Sequence, residues 1–240
     1  MKIKNFLEKK FTVRYCETDW NSNIRVYCLC QWFSEIAWEH LKLLNLNFED
    51  ISDSDYFWVL LDYDIKIENL PKWQQEVNLK TYPSGINDFY FAREFVLSDK
   101  DGNFLAGASS TWLILNKQKK IIIPKGERFD NYNFITQKVV SEKIPKLKKQ
   151  NDYTTERLLK VEHSDTDMHK HVNNAVYIKW IEDCIEKNKQ IKELKIRYLK
   201  ELYNQDMFVI KLKSEKNNFY FEGKSENNNK SFFLAEVVVE

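Results

Sequence analysis

One loop-and-helix pattern occurs twice in this chain, and that fact restricts the fold more than any other. Val13, Thr18, Asp19 and Trp32 match Val161, Thr166, Asp167 and Trp180 at a constant offset of 148 residues. Farther along, Phe89-Tyr90-Phe91 matches Phe219-Tyr220-Phe221 at an offset of 130, and Leu105-Ala106 matches Leu234-Ala235 at 129. A chain with such self-similarity is expected to fold as two like units. The change of offset gives the first copy 18 extra residues (148 − 130) between its helix and its later strands. Residues 45–58, acidic and aromatic, are the expected place for much of this excess. They read as a solvated connection or as a lid over a pocket.

Within each copy the hydrophobic period changes in the same order. Residues 11–20 read as a strand ending in an acidic loop. Leu29, Trp32, Phe33, Ile36, Ala37, His40, Leu41 and Leu44 then show helical spacing, predicting a helix over 24–44. Strands are expected at 58–68, 75–82, 87–98 and 104–116, with Asp99 to Asn103 as a hairpin turn. The second copy predicts strands at 156–162, 191–199, 207–214, 218–225 and 231–239. Its helix is carried by Val172, Val176, Trp180, Cys184, Ile181 and Ile185. Residues 117–152, basic and containing Pro124 and Pro145, read as a connection with solvated charges. The expected division is a unit at 1–120, a linker at 121–152 and a second unit at 153–240. An antiparallel sheet must bury one face, and the single apolar helix is its partner. The expectation is an α+β fold: a tandem (double) hotdog, each unit a sheet wrapped round one long central helix. Such a chain is a pseudo-dimer, working as a monomer or pairing further into a homodimer.

Composition removes several classes. With 37 basic and 36 acidic residues the net charge is +1, so bulk charge selects neither nucleic acid nor a membrane surface. No apolar run approaches the ~20 residues needed to span a bilayer, and the MKIKNFLEKKF start does not read as a secretory signal. Cys16, Cys28, Cys30 and Cys184 form no CxxC pair and no disulfide framework. A cytoplasmic protein without stable membrane insertion is the expectation. The five glycines make no phosphate-cradling loop.

Chemistry concentrates in residues 161–185. Three of the four histidines, His163, His169 and His171, alternate there with Asp165 and Asp167, just ahead of the helix. Asn173 and Asn174 stand where a side-chain oxygen can cap the helix start. Three readings compete. His169-x-His171 with carboxylates could hold zinc, but the remaining histidine is distant and a dinuclear spacing is absent. The residues could serve only to cap the helix, the reading kept for His163. Or they perform acid–base chemistry at an electropositive helix end, where free N–H groups of Val172, Asn173 and Asn174 could stabilise a developing oxyanion. Glu201, after the KIRYLK segment, is a candidate for the other half of such a site. Cys184 lies on the apolar stripe and reads as an inert buried thiol.

The stretch Ser164-Asp165-Thr166-Asp167-Met168-His169-Lys170-His171-Val172-Asn173-Asn174-Ala175-Val176-Tyr177-Ile178-Lys179-Trp180 resembles the SDxDxNxHVNNxxYIxW motif of the acyl-acyl carrier protein (ACP) thioesterases of plants and bacteria. Trp58-Val59-Leu60, Ile67-Glu68-Asn69-Leu70-Pro71-Lys72-Trp73, Tyr82-Pro83-Ser84-Gly85 and Ser109-Ser110-Thr111-Trp112 resemble first-half segments of that family, in order. The resemblance implies a tandem hotdog that hydrolyses the thioester of fatty acyl-ACP, releasing free fatty acid and terminating synthesis, with no cofactor and no metal. The implied partner is ACP bearing a fatty acyl-phosphopantetheine, with no nucleic acid. The family's catalytic aspartate falls on Asp167, its histidine on His171 and its glutamate on Glu201. Its asparagine is His169 here, and the cysteine after the glutamate in many plant members is Leu202. Asn21 and Asn23 occupy the first copy's places for His169 and His171, so the first copy is expected to shape an acyl pocket without catalysis of its own. The alternatives are an acyl-coenzyme A thioesterase of the same fold, a non-hydrolytic acyl-binding protein and, least favoured, a hotdog dehydratase.

Overall fold

The computed structural model describes residues 5–44, 46, 56–123, 132–226 and 230–240. In chain order these form β1 (Leu7–Thr12), α1 (Val26–Leu43), β2 (Tyr56–Ile67), β3 (Glu76–Asn87), β4 (Tyr90–Ser98), β5 (Phe104–Asn116), β6 (Thr155–Lys160), α2 (Asn174–Glu182), β7 (Ile191–Tyr198), β8 (Met207–Glu215), β9 (Asn218–Ser225) and β10 (Ser231–Val239). All ten strands join one sheet in the order β1-β3-β4-β5-β2-β7-β10-β9-β8-β6. Exchanging each strand of the first half for its counterpart in the second reverses this order and leaves it intact. The halves meet at an antiparallel seam between β2 and β7, where Tyr63 faces Ile196 and Ile65 faces Leu194. The two helices pack against each other. This is a tandem hotdog.

The sequence makes these elements for ordinary reasons. In β7, Leu194, Ile196 and Tyr198 are buried while Lys195 and Arg197 between them are only half-buried, the period of a strand with one covered face. In α1, Leu29, Trp32, Phe33, Ile36, Ala37 and His40 are buried on one stripe. Phe33 stacks on Phe95 of β4 with ring centroids 4.8 Å apart, which fixes the helix against the sheet. Pro83, which has no N–H to give, lies inside β3 at a register shift between Pro83 and Gly85.

The ladders give the true equivalence of the two copies. Leu7 pairs with Thr81 as Thr155 pairs with Leu212, and Thr81 pairs with Phe95 as Leu212 pairs with Phe221. Phe95 pairs with Ala108 as Phe221 pairs with Ala235. The offsets are therefore 148 for the first strand and helix start (155 − 7), 131 for β3 and β8 (212 − 81), 126 for β4 and β9 (221 − 95), and 127 for β5 and β10 (235 − 108). The 148 match is structural. The Phe-Tyr-Phe and Leu-Ala matches are out of register by four and two residues, so they are coincidences of composition. The first-half excess between helix and strands becomes 17 residues (148 − 131).

Much of that excess is not loop. Helix α1 has 18 residues and α2 has nine, so the last half of α1 has no counterpart. Strand β2 also begins four residues before the counterpart of Ile191 (191 − 131 = 60, against Tyr56). Asn45 and residues 47–55, read above as a connection or a lid, lie outside the described residues.

Three sequence expectations need correction. The helix expected from Val172 to Ile185 spans only Asn174–Glu182, so the second unit has a short helix rather than a long one. Val172 is held at its start by pairing with Thr166. Cys184 N–H bonds to Ile181 O, three residues back, tightening the last turn. The first strand of each half ends earlier than expected, at Thr12 and Lys160, because a 3-10 turn follows at Tyr15–Glu17 and at His163–Asp165. The connection after β5 is not uniformly solvated either. Lys138 pairs with the fully buried Glu94 at 3.3 Å, and Val139 N–H donates to the same carboxylate at 3.1 Å. This segment crosses the sheet and covers a polar patch.

One carboxylate joins the two helices. Arg25, at the N-cap of α1, offers no capping side chain. Glu182, the last residue of α2, accepts instead from Val26 N–H and Tyr27 N–H, each at 2.8 Å. Burial pushes its carboxyl up from 4.5 to about 7, although both backbone donors pull it down. The folded state thus binds this proton more tightly than the unfolded one, so the group's contribution is full below pH 4.5 and declines as pH rises through about 7. Glu182→Ala leaves two helix-end donors without an acceptor and should cost ~1–3 kcal/mol in urea unfolding at pH 5. The deficit should shrink at pH 8. Glu186→Ala, which removes an exposed pair with Lys189, should cost less than ~1 kcal/mol. Equal losses for the two, or a Glu182→Ala deficit that grows with pH, would contradict this account of the joint.

Candidate active site

The two loops that lead into the helices share one set of backbone bonds. Asp167 N–H donates to His171 O as Asp19 N–H donates to Asn23 O, and Lys170 N–H donates to Asp167 O as Ser22 N–H donates to Asp19 O. Asn173 N–H donates to Asp165 O as Arg25 N–H donates to Glu17 O, and Val172 N–H donates to Leu202 O as Ile24 N–H donates to Pro71 O. The Asp167 carboxylate accepts from His169 N–H at 2.9 Å, and the Asp19 carboxylate accepts from Asn21 and Asn23 N–H at 2.9 Å. An aspartate that does the same thing at both ends is holding a loop. Asp165 is buried and accepts from Glu162 N–H at 3.0 Å, as Glu17 does from Arg14 N–H, which is again loop architecture. His163 is exposed in the 3-10 turn.

Against that shared frame the differences stand out. His171 faces Glu201, with Nδ1 3.7 Å from Oε1. This is too long for a hydrogen bond and close enough for the two to share a water or attract as ions. In the other half the counterparts are Asn23 (171 − 148) and Leu70 (201 − 131), so no base faces a partner there. His169 is half-buried two residues before His171. Glu201 is fixed by two groups that sequence reasoning missed. Lys119 Nζ donates to its Oε2 at 2.7 Å and Tyr203 Oη donates to the same oxygen at 2.7 Å. The His171 ring meets the Tyr203 ring edge-on, centroids 4.9 Å apart. Burial pushes the Glu201 carboxyl up, but the Lys119 ammonium, the Tyr203 hydroxyl and the nearby His171 outweigh it and hold the group below the usual carboxylate range. Lys119 belongs to the turn after β5, so the first half supplies a residue to the second half's site. No local signal in the sequence links positions 82 residues apart.

The helix ends differ as well. The expectation that Val172, Asn173 and Asn174 N–H groups together receive an oxyanion needs correction. Val172 and Asn173 N–H groups already serve Leu202 O and Asp165 O. Asn173 caps Ala175 N–H through its side-chain oxygen at 2.9 Å. Asn174 N–H has no acceptor among the described residues, so one donor remains at an electropositive helix start. Its counterpart, Val26 N–H, is occupied by Glu182. The carbonyl side of Asn174 is pinned by Tyr198 Oη at 2.9 Å, and Tyr177 Oη accepts from Leu202 N–H at 3.2 Å. These two buried tyrosines tie the helix start to the segment that carries Glu201.

An apolar cavity lies in the first half, lined by Trp38, Trp58, Phe91, Trp112, Tyr132 and Phe134, with Arg93 in its wall. Trp38 is on the part of α1 that α2 lacks, and Trp58 is in the additional start of β2. The excess residues of the first half thus line part of this cavity, with Tyr132 and Phe134 of the connection closing another part. No cluster of three or more metal-ligating side chains is present among the described residues. Burial pushes the Cys184 thiol up, away from a reactive thiolate.

The chain matches the family model "Acyl-ACP thioesterase N-terminal domain" over residues 4–125 and "Acyl-ACP thioesterase C-terminal domain" over residues 148–234. It is 26% identical over 187 residues to a chloroplastic palmitoyl-acyl carrier protein thioesterase of Gossypium hirsutum, covering 72% of this chain and 45% of that protein. The chain therefore spans about half the length of the plant relatives it matches first. The fold is shared with an acyl-ACP thioesterase of Bacteroides thetaiotaomicron (TM-score 0.87, 22% identity, 98% of each chain) and with the 12:0-ACP thioesterase of Umbellularia californica (TM-score 0.85, 18% identity, 99% of this chain and 98% of that one).

The charge state of Glu201 is open to direct titration. Lys119→Met removes the first of the groups that lower its carboxyl, so its midpoint, followed by carboxyl-carbon NMR, should move upward. Tyr203→Phe should move it in the same direction. A midpoint unchanged in both variants would show that neither group holds the anion.

Proposed function

The chain belongs to the acyl-ACP thioesterase family, and from that premise we propose that it hydrolyses the thioester of fatty acyl-ACP, releasing free fatty acid and terminating chain elongation. The observation that carries the proposal is that His171 faces Glu201 beside a helix start whose Asn174 N–H has no acceptor among the described residues, while the equivalent end of the first half has Asn23, Leu70 and a filled helix start.

A thioester needs a positioned water, a base and a donor for the carbonyl oxygen, with no metal or cofactor. In the proposed reaction Glu201, held as an anion, takes a proton from water as the water oxygen attacks the carbonyl carbon. His171 and His169 orient the water and the thioester, and Asp167 keeps their loop in shape. Asn174 N–H meets the negative charge that develops on the carbonyl oxygen. The C–S bond then breaks, and the sulfur leaves as the carrier's thiol with the proton returned by way of Glu201 and His171. The acyl chain lies in the first-half cavity. On this reading residues 1–120 are the acyl-binding unit, 121–152 the connection and 153–240 the catalytic unit. The cytoplasm is the proposed compartment, in keeping with four unpaired cysteines. No helix among the described residues is long and apolar enough to cross a membrane.

The test is free fatty acid release from acyl-ACPs of eight to eighteen carbons, with acyl-coenzyme A in parallel. Glu201→Ala and His171→Ala should each lower kcat/KM on acyl-ACP by ~10²-fold or more with folding retained. Turnover surviving Glu201→Ala would remove Glu201 as the base. Faster turnover on coenzyme A would change the carrier. Tight acyl binding with no acid released from either would replace hydrolysis with binding.

A further inference from the structure

A cation sits in the wall of the apolar cavity. In β4, Phe91, Arg93 and Phe95 alternate onto the face that α1 covers: Phe91 lines the cavity with Ala37 and Trp38, and Phe95 stacks on Phe33. Arg93, between them, is 6% exposed and lines the cavity too. Its Nη1 donates to His40 Nδ1 at 3.1 Å and to Thr81 Oγ1 at 3.2 Å, so His40 meets it as a neutral acceptor. Among the described residues no carboxylate pairs with Arg93, and no acceptor meets its Nε or Nη2. The adjacent Glu94 points to the other face, toward Lys138. The sealed polar side-chain atom without a partner among the described residues is Tyr63 Oη, not a guanidinium nitrogen. The rest of the Arg93 fork therefore opens onto the cavity. Burial pushes the guanidinium down to about 10.

The duplicated fold shows that the sheet does not require this charge. The counterparts of Arg93 and Thr81 are Phe219 (93 + 126) and Leu212 (81 + 131). Helix α2 ends at Glu182, ahead of any counterpart of His40. The same rung is thus filled by apolar side chains in the half without the cavity. A buried charge with no counter-ion is costly, and an apolar replacement of similar volume is usually neutral or better for stability. The polar trio is kept where the cavity is.

The ladders place Arg93 at the inner end of a path from the candidate site. The turn that holds Lys119 against Glu201 follows Asn116 of β5. Going back along β5, Ile114 pairs with Trp58, Trp112 with Phe91, and Ser110 with Arg93. From Asn116 to Ser110 is about 20 Å at the rise of a strand. We propose that the acyl chain this cavity accepts carries an oxygen acceptor at its far end, a hydroxyl or a carboxylate, which completes the hydrogen bonding of Arg93. The proposal rests on the hydrolase reading above and adds the chemical class of the acyl group. A methyl end strips the guanidinium of water and returns nothing, whereas an oxygen receives N–H groups from its fork. A site built to bond an oxygen discriminates against the analogue that lacks it.

The experiment compares acyl-ACPs of equal length, eight to eighteen carbons, that end in a methyl, a hydroxyl or a carboxyl group. At the length the wild type turns over best, an oxygen-ended substrate should exceed the methyl-ended one at least tenfold in kcat/KM. Arg93→Met, which removes the charge and its donors, should lose that preference and still turn over methyl-ended chains. Wild-type turnover of both oxygen-ended substrates that is equal to or slower than that of the methyl-ended one overturns the proposal, whether or not the variant folds. A preference that survives Arg93→Met overturns it as well. The same set with an amide in place of the thioester, titrated calorimetrically, reads the preference as affinity. Release of no acid from any substrate by the wild type would remove the hydrolase reading. A tenfold affinity preference for an oxygen end would then still uphold the Arg93 site, and equal affinities would overturn it.

Discussion

What the working end can do depends on what meets the first N–H groups of a nine-residue helix. Such groups have no partner inside the helix and concentrate its positive end. At α1 two of them are consumed by Glu182. At α2 the cap residue, Asn173, serves Ala175 N–H and leaves Asn174 N–H over. The same fold, closed at one end by a carboxylate, is open at the other beside His171 and Glu201. An arginine in place of a capping asparagine, and a glutamate ending the partner helix, suffice to make a duplicated structure unequal.

A second inequality complements the first. The additional turns of α1 and the longer β2 belong to the half without a base, and they line the apolar cavity. One copy has the additional chain and the apolar cavity. The other has the titratable side chains and, in the proposed reaction, provides the chemistry. Lys119 and Glu201 tie the two across the seam at 2.7 Å, so neither half has the full set of groups alone.

The sequence made a good part of this legible. The constant offset of 148 found the duplicated loop and helix start, and the period-2 patterns found the strands, with β9 and β10 placed to the residue. Short matches of common residue types misled: Phe-Tyr-Phe and Leu-Ala aligned out of register because strands of similar composition agree at several offsets. Helix α2 is shorter than its apolar stripe, which continues past Glu182, and periodicity does not register the turn that ends the helix. Of the candidate residues, His171 and Glu201 come together as read, while Asp167 bonds only to its own loop. Lys119, Tyr203 and Glu182 are not legible in the sequence because each acts through a partner brought close by the fold or through backbone groups, and such pairings exist only after the sheet has assembled.

In the proposed reaction two like halves provide one working end. Titration calorimetry with an acyl-ACP whose thioester is replaced by an amide, which binds without turning over, tests it directly. One equivalent bound per chain is the predicted result. Two equivalents per chain would show that the end closed by Glu182 also receives substrate, and no binding at all would contradict the proposed carrier.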